Sequence, residues 1–371
     1  MMALNLLTFL LLAINDQPGS ENRLFAKRTQ CYASRFLLPG QEIKEPKYVV
    51  RIDLVFLDHG VDEDGTKYHY KNWSKGSGFV YEDKDGIWIL SVGHIISHGI
   101  SHLVEGSIFA YFHPDLKHDP EEIKFVGYDQ KIDVSLFKFT NQESVKKIPC
   151  AILGSSKDLK NGQRVMVVGH PLPIQFAITI GYINSVNFSG FLINEYQPQL
   201  LAHSCMINSG SSGSPLINLS NEVIGINRMT FERPNVFNLA IPIDDVKFLL
   251  PKLKRGGLIE HQTPGLVGFA NSFMLSDLDL GDMDIDKRPA SGIMIIGFKE
   301  KSLVELAGFE KGDVIVSCNG QKPKGLIDFL KMIYLKAEAY EILKIEIDRY
   351  GKKIILPLLL FDPEEKEVEI E

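Results

Sequence analysis

Between about Tyr48 and Pro242 the chain alternates short apolar runs with turn residues, and helical periodicity is scarce. The runs are YVVRIDLVF, GSGFVY, IWILSV, IFAYF, VSLFKF, QRVMVVG, FAITIGYINSV and NEVIGI. They are rich in β-branched and aromatic residues and are broken by Gly, Asn, Asp or Pro. Many strands joined by turns alone must stack or close on themselves, so the expectation is a mainly β fold, a barrel or sandwich, and not an α/β sheet. The first clear helical signal is IDDVKFLLPKL, Ile243 to Leu253.

After that helix the pattern changes. KRGGLIEHQTPG reads as a linker, and a mixed segment follows. SGIMIIGF and GDVIVSCNG look like strands, SLVELAGF and KGLIDFLKMIYLKA like helices, and ILKIEIDRYGKKIILPLLL like a hairpin turning near Tyr350-Gly351. The expected organisation is an N-terminal segment 1–40, a β domain 41–253, a linker 254–264, a small α+β domain 265–361 and an acidic, solvated tail 362–371. Residues 1–14 are nearly all apolar and too short to span a bilayer comfortably. They suit the hydrophobic part of a secretory signal, and a buried or interfacial helix is the other reading. Export is the expectation, to the periplasm or cell envelope; the protein is cytoplasmic if the segment is no signal.

A net charge of −7 over 371 residues gives no reason to expect a nucleic-acid partner. Cys31, Cys150, Cys205 and Cys318 lie far apart with no C-x-x-C, which supports neither a zinc ribbon nor a dithiol redox site. His94, His98 and His102 recur every four residues, as metal ligands on a helix sometimes do. Gly99 and the surrounding β-branched residues argue against a long helix there, so His98 and His102 are expected at the surface. No metal or cofactor is expected.

The stretch NSGSSGSPLIN, Asn208 to Asn218, reads either as a flexible linker or as a turn that presents a serine. Its flanks, Cys205 to Ile207 and Pro215 to Ile217, are core-like, which favours the turn. A serine nucleophile needs a base, and the base needs an orienting carboxylate. Upstream, ILSVGHII delivers His94 at the end of an apolar strand, and KIDVSLFKF places Asp133 at the start of another. A carboxylate entering a buried strand needs a hydrogen-bond donor, which a histidine N–H supplies. The order His94, Asp133, Ser212 is that of chymotrypsin-type enzymes. Gly210 frees the backbone to turn inward, so the N–H groups of Gly210 and Ser212 are candidates for an oxyanion hole.

These motifs resemble the HtrA (DegP-like) serine proteases, a chymotrypsin-type double β-barrel followed by PDZ domains. GSGFVYEDKDGIWILSVGHII is similar to that family's histidine region, DVSLFKF to its aspartate strand, INSGSSGSPLINLSNEVIGIN to its serine loop, and LAIPIDDVKFLL to its closing strand and helix. GLVGF, SGIMIIGF and SLVELAGFEKGDVIVSCNGQ resemble one PDZ domain. Three positions depart from the family: Gly93 before the histidine, Ser211 before the serine, and Ser214 for the second glycine after it.

The resemblance implies a serine endopeptidase that cleaves unfolded or damaged proteins through an acyl-enzyme, and a homotrimer joined by N-terminal segments. Phe25, Tyr32 and Phe36 are candidate interface residues, with packing onto the chain's own barrel as the other reading. A chaperone-like or peptide-binding scaffold with weak or lost proteolysis is the alternative. Met206 would form the base of the specificity pocket, unless it is core, and Ile226 within IGINRM its far wall. With no Asp there, the preference would be a small or medium aliphatic side chain. In the PDZ part, Leu266, Val267, Gly268 and Phe269 would form the peptide-binding loop, with N–H groups of Val267, Gly268 and Phe269 on the carboxylate of a hydrophobic C-terminal peptide and Ile327 and Leu330 against its last side chain, unless Leu266, Val267 and Phe269 are only core strand residues.

Overall fold

The computed structural model describes residues 45–61, 67–97, 103–171, 174–188, 199–231, 237–259, 266–271, 292–298, 303–333 and 341–360. His98 and His102, the N-terminal segment with its candidate interface residues, and the acidic tail lie outside the described residues.

The first six strands are β1 (Val49–Val61), β2 (Lys67–Asp83), β3 (Gly86–Val92), β4 (Leu103–Tyr111), β5 (Glu121–Asp129) and β6 (Val134–Phe139). They run in the order β5-β4-β1-β2-β3-β6, and β5 pairs with β6 to close a six-stranded antiparallel barrel. Val50, Ile52, Phe79, Ile89, Leu90, Leu136 and Phe137 on its strands are all fully buried, on one face of the sheet or the other. A four-residue helix, α1 (His94–Ser97), follows β3 directly.

The second barrel uses β8 (Arg164–Gly169), β9 (Ala177–Phe188), β10 (Leu200–His203), β11 (Pro215–Ile217), β12 (Glu222–Phe231) and β13 (Phe237–Pro242), with the short β7 (Ile152–Leu153) laid parallel against β12. The ring runs β11-β8-β9-β10-β13-β12 and is closed by β11 pairing with β12. The chain is thus mainly β with the chymotrypsin-like pair of barrels.

Helix α2 (Ile243–Arg255) leaves the second barrel and packs Ile243, Val246, Leu249 and Leu253 into the core that contains the first barrel's interior. Asp244 and Asp245 in its first turn and Lys252, Lys254 and Arg255 in its last complement the helix dipole. A side chain at Gly127 on β5 would meet the Leu253 carbonyl at 2.2 Å, so glycine there lets the helix come close. The stretch read as linker is partly structured. Gly256 and Gly257, both at positive φ, turn the chain into β14 (Gly257–Ile259), which pairs parallel with β5.

The C-terminal sheet has the order β15-β16-β17-β18-β19, built from β15 (Leu266–Asn271), β16 (Ile293–Phe298), β17 (Val314–Cys318), β18 (Ile342–Arg349) and β19 (Lys352–Leu359). Helices α3 (Leu303–Leu306) and α4 (Leu326–Lys331) accompany it. The sheet has its own core around Ile295, Phe309, Phe329, Ile345 and Ile347. The β18–β19 hairpin turns at Tyr350-Gly351, both at positive φ, as a two-residue loop between right-twisted strands favours. Lys331 Nζ lies 2.8 Å from Asp245 Oδ1 on α2, and Leu330 packs against both cores.

Candidate active site

β3 ends at Val92, and Gly93 makes the corner into α1. The Gly93 N–H donates to the Asp133 carbonyl at 3.0 Å. A β-carbon at Gly93 would sit 1.8 Å from the Tyr128 ring, which explains glycine in this place. Asp133 sits at the mouth of β6 with a left-handed φ of 69°, a conformation that asparagine and aspartate tolerate best among side-chain-bearing residues. Its N–H donates to the Asp129 carbonyl at 2.8 Å, and the Asp129 carboxylate accepts from the Ile132 N–H at 2.9 Å. The buried Asp133 carboxylate faces His94. Oδ1 accepts from the His94 backbone N–H at 2.7 Å, and Oδ2 lies 2.8 Å from His94 Nδ1. One carboxylate therefore holds both the backbone and the ring of the histidine. It favours the tautomer with the proton on Nδ1 and leaves Nε2 as the basic nitrogen.

The serine loop is built differently. Ser211 N–H donates to the Asn208 carbonyl at 2.8 Å across a turn in which Gly210 takes φ 92°, as the third residue of a type II turn must. The first barrel fastens this turn through Ser77 on β2. The Ser77 hydroxyl donates to the Gly210 carbonyl at 2.7 Å and accepts from the His170 N–H at 3.0 Å, while its N–H donates to the Ser212 carbonyl at 2.8 Å. Gly213, at φ 87°, donates to the Asn227 carbonyl, and a β-carbon there would meet Ser77 O and Ser91 Oγ at 2.1 Å. A β-carbon at Gly76 would meet Ile95 Cγ2 at 2.9 Å and the Ser212 carbonyl at 3.3 Å, so the neighbour of His94 and the backbone of Ser212 converge on one strand position.

Among the described residues, the N–H groups of Gly210 and Ser212 and the Ser212 hydroxyl have no hydrogen-bond partner. These are the two N–H groups that the sequence put forward as oxyanion-hole candidates.

Ser214, one of the three departures, fits its surroundings. Its hydroxyl donates to the Ser211 carbonyl at 2.6 Å and accepts from Asn227 Nδ2 at 3.0 Å. A β-carbon on Gly169 would crowd Ser214 Cβ at 2.9 Å. The pocket candidates fall apart. Met206 is 74% exposed, and Ile226 is fully buried in the main core with no surface to offer a substrate. Leu266, Val267, Gly268 and Phe269 lie on β15, an edge strand with register shifts at Leu266/Gly268 and Gly268/Phe269. Their side chains, and that of Ile327, lie outside the described residues.

Sequence reasoning missed Ser77, Ser91, Tyr128, Asn227 and Arg228. Arg228 Nε lies 3.0 Å from Asp133 Oδ2, the oxygen that also faces His94 Nδ1. Two buried histidines also border the second barrel. Burial, with Arg51 nearby, pushes the His170 imidazole down to about 3, and burial pushes His203 down to about 4. Glu45, His113 and Asp115 bring their donor atoms within 4.8 Å of one another. His113 spends both ring nitrogens on hydrogen bonds, to Glu45 Oε1 at 3.0 Å and from the Asp115 N–H at 3.2 Å, so the group is a bonded cluster.

Residues 76–226 match the family described as the trypsin-like peptidase domain. A protein of Pseudomonas fluorescens named as a DegP-like periplasmic serine endoprotease is 31% identical over 301 residues, which is 80% of this chain and 58% of that one. The Bacillus subtilis serine protease Do-like HtrB is 28% identical over 289 residues, 74% of this chain and 60% of that one. The chain thus spans little more than half the length of these curated relatives. Among solved structures, the HtrA-type protease AlgW with a decapeptide superposes with a TM-score of 0.62 at 18% identity, covering 85% of this chain and 96% of that one. A serine endoprotease from Yersinia pestis gives 0.56 at 19% identity, covering 94% and 99%.

Proposed function

We propose that the chain is a serine endopeptidase of the HtrA type. Ser212 Oγ attacks a peptide carbonyl, His94 Nε2 takes its proton, and Asp133 holds the imidazole and stabilises the imidazolium. The oxyanion that forms is met by the N–H groups of Gly210 and Ser212. The protonated His94 then gives its proton to the leaving amine. Water hydrolyses the acyl-enzyme by the same steps, with His94 again as base. The reading rests above all on one carboxylate bonded to both the backbone N–H and Nδ1 of His94, together with a serine loop whose Gly210 and Ser212 N–H groups have no partner among the described residues. Purified Ser212→Ala and His94→Ala should each lose on the order of 10⁴-fold or more in casein turnover. Retained cleavage by Ser212→Ala overturns the assignment.

The same reading extends to substrates and setting. Unfolded or damaged proteins are the substrates, in the periplasm or cell envelope, and the chain assembles as a homotrimer. The C-terminal sheet is a PDZ domain that adds the C-terminus of a hydrophobic peptide to the β15 edge, with N–H groups of Val267, Gly268 and Phe269 on its carboxylate. β15, at the end of the sheet order among the described residues and beside α4, and the decapeptide in the AlgW structure support this. Amidating the peptide removes the charge that the loop would hold. Equal binding of amidated and free-acid peptides overturns the PDZ assignment. The exposed Met206 contacts the residue before the scissile bond and favours aliphatic side chains there.

A further inference from the structure

On β12 the pairing with β13 slips by one residue: Asn227 faces Ala240 and Met229 faces Leu239, with Arg228 between them as the extra residue. A bulge of this kind re-aims a side chain out of the regular alternation. Here the side chain is mostly buried and reaches across to the first barrel, where Nε meets Asp133 Oδ2 at 3.0 Å. His94 Nδ1 meets the same oxygen at 2.8 Å. A guanidinium is charged at every pH the fold survives, so this carboxylate has a permanent cationic partner as well as a titratable one.

The surroundings make that charge count. Asp133 and Asp129 are both buried at this corner, at the mouth of β6 and the end of β5. Tyr128, at the end of β5, has its hydroxyl pushed up to about 12, first by burial and then by the Asp133 and Asp129 charges, with Arg228 opposing; it is neutral in the working range. Lys131 lies in the same turn. The corner thus sets two carboxylates against the guanidinium before the imidazole takes any proton.

We propose that Arg228 is a positioning residue that orients the Asp133 carboxylate and balances its charge, and that this balance sets how far toward acid pH the enzyme keeps working. The proposal rests on the Ser212–His94–Asp133 reading. Catalysis needs His94 without its extra proton. Removing the guanidinium leaves Asp133 free to favour the protonated ring, so the acid side of the activity profile retreats toward neutral pH.

The test is the pH profile of kcat/KM on one peptide substrate for wild type, Arg228→Gln, Arg228→Met and Arg228→Lys, with thermal unfolding as a check on folding. Both uncharged variants should move the acid limb up by about one pH unit, a loss of roughly tenfold on that limb. Arg228→Lys, which keeps the charge, should hold the limb within a few tenths of a unit of wild type. A folded Arg228→Met or Arg228→Gln whose limb superimposes on wild type overturns the proposal. So does a lysine variant that shifts as far as the uncharged ones. Failure of the underlying reading shows differently, as full activity in Ser212→Ala whatever residue stands at 228.

Discussion

The two barrels hold their catalytic candidates by different means. The first delivers His94 and Asp133 as side chains bonded to each other, with Arg228 on the shared oxygen, so its half of the site is a matter of charge. The second delivers Ser212 on a loop fastened through backbone groups: Ser77 on the Gly210 and Ser212 carbonyls, and Asn227 on Gly213. Charge can be tuned by pH and by substitution. A backbone fixed against another backbone leaves no room, as the 2.1 Å contacts at Gly213 show. The candidate base should therefore answer to charge and pH, and the candidate nucleophile loop to added bulk.

The largest expected effect comes from breaking the charged half. Asp133→Asn removes the carboxylate from His94 and strands the Arg228 guanidinium; kcat should fall about 10⁴-fold. Stability should fall by roughly 3–5 kcal/mol, because a buried charge loses its partner. Peptide hydrolysis and urea unfolding check both. A drop in kcat under tenfold breaks the comparison.

Gly213→Ala attacks the other half. Its φ of 87° is unfavourable for alanine, and the new methyl meets backbone and a buried hydroxyl. Destabilisation of about 3 kcal/mol or more, with loss of most activity, is expected. A fully active Gly213→Ala would show that the loop is pliable. Ser77→Ala is gentler, since it leaves the Gly210 carbonyl and the His170 N–H unbonded without adding bulk; about 1–3 kcal/mol is expected in urea unfolding.

The smallest effect sharpens the contrast through pH. His170 in the fold is held far below its ordinary 6.5 by burial, with the Arg51 and His113 charges adding to the effect. Unfolding lets it bind a proton below pH 6.5, whereas the folded protein resists until about 3. Its contribution is therefore whole above pH 6.5 and is lost as pH falls through that window, by about 2 kcal/mol at pH 5. His170→Asn, whose side-chain oxygen can still accept from the Phe176 N–H, should flatten the fall in Tm between pH 7 and 5 by about 5 °C. An unchanged slope contradicts the argument.

What was legible in the sequence follows the same division. His94, Asp133 and Ser212 could be put forward as candidates because nucleophilic catalysis calls for three residue types in chain order near strand ends. The main strands could be read because their inward faces are apolar. β5 was passed over because EEIKFVGYD carries Glu121, Glu122 and Lys124 and alternates only in part. The first half of the linker was misread because Gly256-Gly257 looks flexible, yet those positive-φ glycines turn the chain back onto β5. Ser77 and Arg228 could not be found at all, since their partners lie 133 and 95 residues away. Exposure is equally invisible in a strand pattern, so Met206 and Ile226 were paired although one is open to solvent and the other is sealed in the core.

The central claim is that Ser212, alone among the serines, is an activated nucleophile. Reaction with a serine-directed fluorophosphonate, followed by peptide mass spectrometry, tests it directly. One adduct is expected, on the peptide that contains Ser212, abolished in Ser212→Ala and strongly slowed in His94→Ala. An adduct on Ser209, Ser211 or Ser214, or labelling that persists at full rate in His94→Ala, would contradict it.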